Sequence, residues 1–267
     1  MKKHLVILLA ILVFITACGP DKKEGEVSIV ASNIAIIGSV VKDAEIIEAN
    51  PDLEAVLQLF PITEKTPFAL TSEQIDKIEG KGTLKTKQVR LLSQSVAKNA
   101  LFLEVEYALN DFYKIDSVKA RGTYKDWADQ RDLGQTQQSD VYPLYKIETG
   151  NASYVLFWML DYSTVEACPY SWAKTVFATA IHKNKVGETI VFAEHSGGGD
   201  APVSFDRRIK GNLDEDWKIT LNLKEELDQD EPKIEITEGL YELEMKDGIV
   251  VFTKEDKKKP RQEKKKL

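Results

Sequence analysis

The sequence predicts an α+β protein: N-terminal helices followed by an antiparallel β-sandwich or partly open β-barrel. Three observations carry that prediction. Apolar residues recur every three or four positions between Asn33 and Phe60, the period of one helix face. From Leu101 onward the period shortens toward two, and β-branched and aromatic residues gather in short runs. Helical and extended patterns are segregated along the chain, which excludes the βαβ alternation of a parallel sheet. The boundaries that follow are a leader at 1–17, a tether at 18–32, a helical subdomain or cap at 33–98, an antiparallel β-domain at 99–253 and a basic tail at 254–267, read as disordered.

The leader comes first. Lys2 and Lys3 form a positive head, Leu5 to Ile15 are eleven unbroken apolar residues, and Thr16 and Ala17 are small. A basic head, a 7–15-residue apolar stretch and small residues before a cut describe a secretory signal peptide. A membrane-spanning helix needs about 20 apolar residues, so this run is too short to span. The string Ile15-Thr16-Ala17-Cys18 resembles the lipobox of bacterial lipoproteins. That resemblance implies a diacylglyceryl group on the Cys18 thiol and cleavage just before it. One acyl chain holds a protein only marginally, whereas two or more anchor it stably. Gly19, where an Asp in this family means inner-membrane retention, favours the outer membrane, on its periplasmic face or at the cell surface. Residues 20–26 are polar and read as a solvated tether.

The helical elements have start and stop signals. Ile34, Ile37 and Val41 step by three and four. Asn50-Pro51 is an N-cap followed by proline at the first helical position, and Leu53, Val56, Leu57 and Phe60 form one apolar face that Pro61 ends. Thr71 to Gln74 matches a capping box, and Gly80 and Gly82 close the short helix behind it. Residues 84–98 fit either period.

The strands follow in order. Leu101 to Tyr107 alternates apolar and charged, and Tyr154 to Leu160 is seven apolar residues, the length of a strand buried on both faces. Residues 174–182 and 188–195 form a hairpin through Lys183 to Gly187. Residues 217–223, 233–237, 240–245 and 248–252 continue the series, with Asp247-Gly248 as a two-residue turn.

Net charge is −7 for the chain and −9 without the leader, with +5 in the tail, so the body is strongly acidic. That argues against nucleic acid as a partner. The acidic stretch from Asp214 to Glu231 lacks the spacing and glycine of a calcium loop and reads as a solvated face. With Cys18 lipidated, Cys168 has no disulfide partner in the chain and reads as a buried, inert thiol.

The candidate site residues are few. His182 and His195 lie on opposite arms of the hairpin. If His182 pairs near Glu188, His195 is about seven residues further on, roughly 23 Å at ~3.3 Å per residue. Those two and Cys168 therefore do not share a metal, and neither a metal nor another cofactor is predicted. Glu194 to Asp200 is the most unusual string, with Gly197, Gly198 and Gly199 between His195 and Asp200. As a loop it would be a flexible connection, or would turn its amides toward an anion or sugar. As a hydrolase site it would use Ser196 with His195 and Asp200 or Glu194, but the frame of a nucleophile elbow is missing. Trp158 reads as core; Tyr170 and Trp172, in a proline-containing stretch, are the aromatic candidates for stacking on a ligand. The basic tail could touch anionic lipid or glycan by charge.

Residues 150–250 also resemble uncharacterised Bacteroidota envelope lipoproteins in Cys168 to Ser171, Val176 to Thr179 and Gly197 to Ser204. That group brings no activity to transfer. The expectation is a lipid-anchored, non-enzymatic envelope protein that binds a partner protein or glycan, with an envelope hydrolase near residues 194–200 as the alternative.

Overall fold

In the computed structural model, the residues described are 49–61, 66–97, 101, 109–110, 112–113, 136–150, 152–164, 170–200, 202–229 and 233–264. They all belong to the compact unit Glu48–Leu267. The leader, Cys18, the tether, Cys168 and most of the strand expected at Leu101 to Tyr107 lie outside the described residues.

The body is mostly antiparallel β-sheet. Eight strands follow one another as a meander: β2 (Thr136–Gly150), β3 (Ser153–Thr164), β4 (Tyr170–His182), β5 (Lys185–Asp200), β6 (Val203–Leu213), β7 (Lys218–Asp228), β8 (Lys233–Lys246) and β9 (Ile249–Lys257). Short β1 (Phe68–Leu70) pairs with the end of β6, and β10 (Arg261–Lys264) pairs with the start of β8 beside β9. The expected strand pairs at 233–237 and 240–245 are one continuous β8. The Lys183-Asn184 and Asp247-Gly248 turns both carry positive φ at their two central residues, the geometry whose twist matches flanking strands. His182 therefore faces Lys185 rather than Glu188. The two histidines are even further apart than the sequence predicts, since His195 pairs with Lys174, eight residues back along β4.

The tail is a correction. Residues 254–257 and 261–264 are strand, not a disordered run. Glu238 on β8 receives Lys258 and Arg261, and Glu242 receives Lys254. The tail's charges sit on an edge, where lysines and Pro260 deter pairing with another chain.

Three short helices represent the expected helical region among the described residues: α1 (Pro51–Leu57), α2 (Ser72–Ile75) and α3 (Thr86–Leu92). Asn50 caps α1 by accepting from the Leu53 amide at 3.1 Å. The Thr71–Gln74 capping box is formed in both directions, at 2.8 and 3.3 Å. Both caps satisfy amides that a helix start leaves orphaned.

The pairing of β5 is divided along its length. Only the last part of β5, from Glu194, pairs with β6. Along its first part β5 meets residues 95–97 and the β8–β9 turn instead. The Glu188 amide donates to the Gly248 carbonyl at 2.8 Å, and Glu188 Oε2 accepts from the Val250 amide at 2.7 Å. Gly187 permits this approach, because a Cβ there would lie 2.0 Å from the Gly248 carbonyl oxygen. Phe68, Phe157 and Phe192 fill the fold, with centroids 4.6–5.8 Å apart. Trp158 is fully buried and stacks on Phe177 at 4.1 Å. Its indole N–H donates to Thr179 Oγ1, Thr179 donates to Thr189 Oγ1, and Thr189 donates to the Leu92 carbonyl. That chain of buried hydroxyls is satisfied in one direction and ties three strands to α3.

Candidate functional site

The Gly-rich string is strand, not a loop. Gly197, Gly198 and Gly199 lie in β5, paired with Trp172, Ser171 and Tyr170 on β4 and with Asp206, Phe205 and Ser204 on β6. Amides committed to two ladders are not turned toward an anion. The glycine at 197 has another use: a Cβ there would come within 2.8 Å of the Trp172 ring. The indole therefore lies across the bare backbone of β5.

His195 shares that outer face with Trp172, whose ring it meets edge-on at 4.7 Å. Its Nδ1 lies 2.9 Å from both carboxylate oxygens of Asp76, at the end of α2, and its Nε2 lies 3.4 Å from Asp206 Oδ2. Asp206 in turn accepts from Arg208. Lys174 reaches the Asp76 carbonyl at 3.2 Å. Together these groups fasten α2 to β4, β5 and β6. The side chain of His195 is only 14% exposed, and its ring nitrogens face carboxylates rather than a hydroxyl.

Ser196 points to the other face, as alternation along a strand requires. It donates to Glu194 Oε1 at 2.5 Å, and Glu194 lies 3.8 Å from the Arg207 guanidinium, which donates to the Leu101 carbonyl. Ser196 and His195 are thus separated by the sheet, so the hydrolase arrangement expected at 194–200 is not assembled. Asp200 ends β5 at an exposed turn, and Tyr170 is 46% exposed at the start of β4. Of the seven residues predicted as a ligand set, the structure brings Trp172, His195, Gly197, Tyr170 and Gly199 to one face. The first three are used in packing, and none of the seven lines either cleft described next.

One cleft, of about 330 Å³, lies between α1 and α3 and is lined mainly by Asp52, Lys87, Arg90 and neighbouring residues. The other, of about 310 Å³, lies where four hairpin turns converge: Gly150–Ser153, Lys183-Asn184, the turn at Trp217 and Asp247-Gly248. Val155, Ala180 and Ile181 give it an apolar floor; Tyr154, Trp217 and Met245 line it, half-buried. Its polar groups are Thr149, Ser153, His182, Lys183, Lys246 and Asp247.

The Trp217 backbone is unusual. It adopts φ 63°, a left-handed conformation that costs a residue with a Cβ roughly 1–2 kcal/mol and that hairpins of this shape usually give to glycine. The turn holds it there firmly. Asp214 Oδ1 accepts from the Asp216 and Lys218 amides at 2.9 Å. The Trp217 amide donates to the Asp214 carbonyl at 3.3 Å, and its carbonyl accepts from Met245 at 3.3 Å.

Ser153, His182 and Asp247 stand in a row beside this ring. Ser153 Oγ lies 3.5 Å from His182 Nδ1, and His182 Nε2 lies 3.7 Å from Asp247 Oδ1. Ser153 is buried and also accepts from the Lys183 amide at 3.2 Å. These spacings orient the imidazole but are long for a proton relay, which works at about 2.6–3.2 Å. No cluster of three or more metal-ligating side chains occurs among the described residues. Sequence reasoning missed this cleft, because its residues come from four separate turns; the αL tryptophan had no signal before the turn was seen.

Comparison of the chain with protein-family models, with curated proteins and with solved structures finds no match in any of the three.

Proposed function

We propose that the chain is a lipid-anchored protein of the cell envelope whose β-body is a non-enzymatic binding or structural module for a partner protein or glycan. The observation that carries this reading is Cys18 behind Ile15-Thr16-Ala17 and the eleven-residue apolar run. Lipid on that thiol would hold the body at the outer membrane, on the periplasmic face or at the surface. In this reading the α+β arrangement is a helical cap from 33–98 on a sandwich-like β-body. No described helix is long and apolar enough to cross a membrane.

Supporting the binding role is the cleft at the hairpin end, which combines aromatic rings with polar groups of both signs, the usual make-up of a ligand site. The hydrolase alternative at 194–200 loses its support from the opposite orientations of Ser196 and His195. The experiment is metabolic labelling. Radiolabelled palmitate enters the wild-type protein and not Cys18→Ser, and the variant leaves the membrane fraction. Label retained by Cys18→Ser defeats the anchoring claim.

A further inference from the structure

We infer that the hairpin-end cleft is a carbohydrate site that takes one terminal neutral sugar ring, with Trp217 as its stacking face. The inference deepens the binding proposal above, and rests on it only in assuming that the body binds something.

Trp217 itself is the first part of the argument. A bulky residue stands in a left-handed position where glycine or asparagine would be unstrained; its ring packs in part against the core and lines the cleft with the remainder. Strain held in place by several hydrogen bonds is characteristic of positions where a side chain must be presented. Here Asp214, Lys218 and Met245 hold the turn, and the ring is delivered to the cleft.

The second part is the chemistry of the lining, which excludes other ligand classes in turn. A wholly apolar ligand would take water from the Asp247 carboxylate and the Lys183 and Lys246 ammonium groups and offer them no hydrogen bond in return, at about 1–3 kcal/mol for each group left unsatisfied. A simple anion would be served by Lys183 and Lys246 but would face the Asp247 carboxylate, and would gain nothing from the part of the Trp217 ring that lines the cleft. A metal ion would need more ligands than His182 and Asp247 supply. A sugar ring meets all of these conditions at once. Its C–H face is apolar and lies on an aromatic ring; its hydroxyls both donate and accept. Asp247 can accept from hydroxyls, Lys183 and Lys246 can donate to them, and the His182 ring can do either.

The third part is size. A cleft of about 310 Å³ is at the small end for ligand sites, so it suits a chain end rather than the middle of a polysaccharide. The row Ser153–His182–Asp247 then has a role without catalysis: Ser153 and the Lys183 amide fix the imidazole, and the imidazole sets the carboxylate.

The test uses the full chain, purified with its lipid in detergent. It is probed with an array of immobilised neutral oligosaccharides and titrated with the methyl glycosides of glucose, galactose, mannose and N-acetylglucosamine. At least one neutral sugar binds saturably, with a Kd in the millimolar range or tighter. Trp217→Gly, which relaxes the backbone while removing the ring, weakens that binding tenfold or more. Asp247→Asn keeps the turn, since asparagine suits its conformation, and also weakens binding about tenfold, so the test does not depend on the tryptophan variant remaining stable. Val203→Ser, at the opposite end of the strands, leaves binding unchanged. The inference is overturned if no neutral sugar binds at tens of millimolar, if inorganic phosphate or glucuronate binds instead, or if both cleft variants bind as the wild type does. A sugar-blind protein that still takes palmitate through Cys18 overturns this inference alone. Sugar binding by an unlabelled protein overturns the anchoring proposal alone.

Discussion

Asp161 shows how much one register position can decide. On β3 it stands directly opposite Asp140 on β2 and opposite Lys174 on β4. Like charges directly across a strand pair repel, and the lysine is 3.9 Å away. Burial pushes the Asp161 carboxyl above its ordinary value; Lys174 works against that, and Asp140 adds to it. A carboxyl raised on folding binds its proton more tightly in the native state. Its contribution to stability therefore falls as pH rises from the ordinary carboxylate range through the raised value. Asp161→Asn removes this cost, so the variant has a higher Tm than the wild type at pH 7, and the difference closes below about pH 4. Thermal unfolding at the two pH values checks it. A lower Tm at pH 7 would show that the Lys174 pair outweighs the repulsion. The same scale explains what the sequence concealed. Arg207 and Glu194 are both buried, and charged residues of this kind almost never are unless paired, so nothing in the string around Arg207 marked it as interior.

At the scale of elements, legibility follows chemistry. α1 and α2 could be read because their caps are local: Asn50-Pro51 and Thr71 to Gln74 act within four residues. β3 was legible because its apolar residues are consecutive and buried on both faces. β2 was not, since it is polar, carries Pro143 and shifts register there, which an edge strand tolerates and a sequence pattern does not reveal. β6 was concealed by Asp206, Arg207 and Arg208, and the Gly-rich end of β5 passed for a loop because three glycines in a row carry no side-chain alternation to read. The tail failed for a related reason: its charges matter through Glu238. Hydrogen bonds from Arg261 and then Lys258 hold the Glu238 carboxyl well below its usual range, at about 2. A carboxyl depressed on folding stabilises above the ordinary carboxylate range, and that support is lost as pH falls toward 2. Glu238→Gln therefore loosens β10 at neutral pH. Faster amide exchange at residues 261–264, with the rest of β8 unaffected, is the expected result, and the wild type loosens in the same place between about pH 4 and 2. Unchanged protection in the variant would assign the pairing of β10 to its backbone ladder alone.

Across the whole molecule, the sequence foretold β-rich architecture and several turns, but not which turns meet. The hairpin-end cleft arises where the Asp247-Gly248 turn meets His182 and the start of β5 at Gly187. The strands on either side of β5 also meet through side chains far apart in the chain, above all the three phenylalanines. Phe157 on β3 lies 4.9 Å from Phe192 on β5 and 4.6 Å from Phe68 on β1, which pairs with β6. Those rings join the two halves of the sheet through side chains where the β5–β6 ladder has ended. If this junction makes the sheet one cooperative unit, Phe157→Ala lowers stability by about 3–5 kcal/mol, the usual cost of emptying a buried phenylalanine site. It then lowers both halves together. Tryptophan fluorescence, from Trp158 in one half and Trp217 in the other, and far-ultraviolet circular dichroism should give coincident denaturant transitions in wild type and variant alike. Two separated transitions in the variant would mean that the halves are stable independently, and that the cleft between their turns is held by the turns themselves.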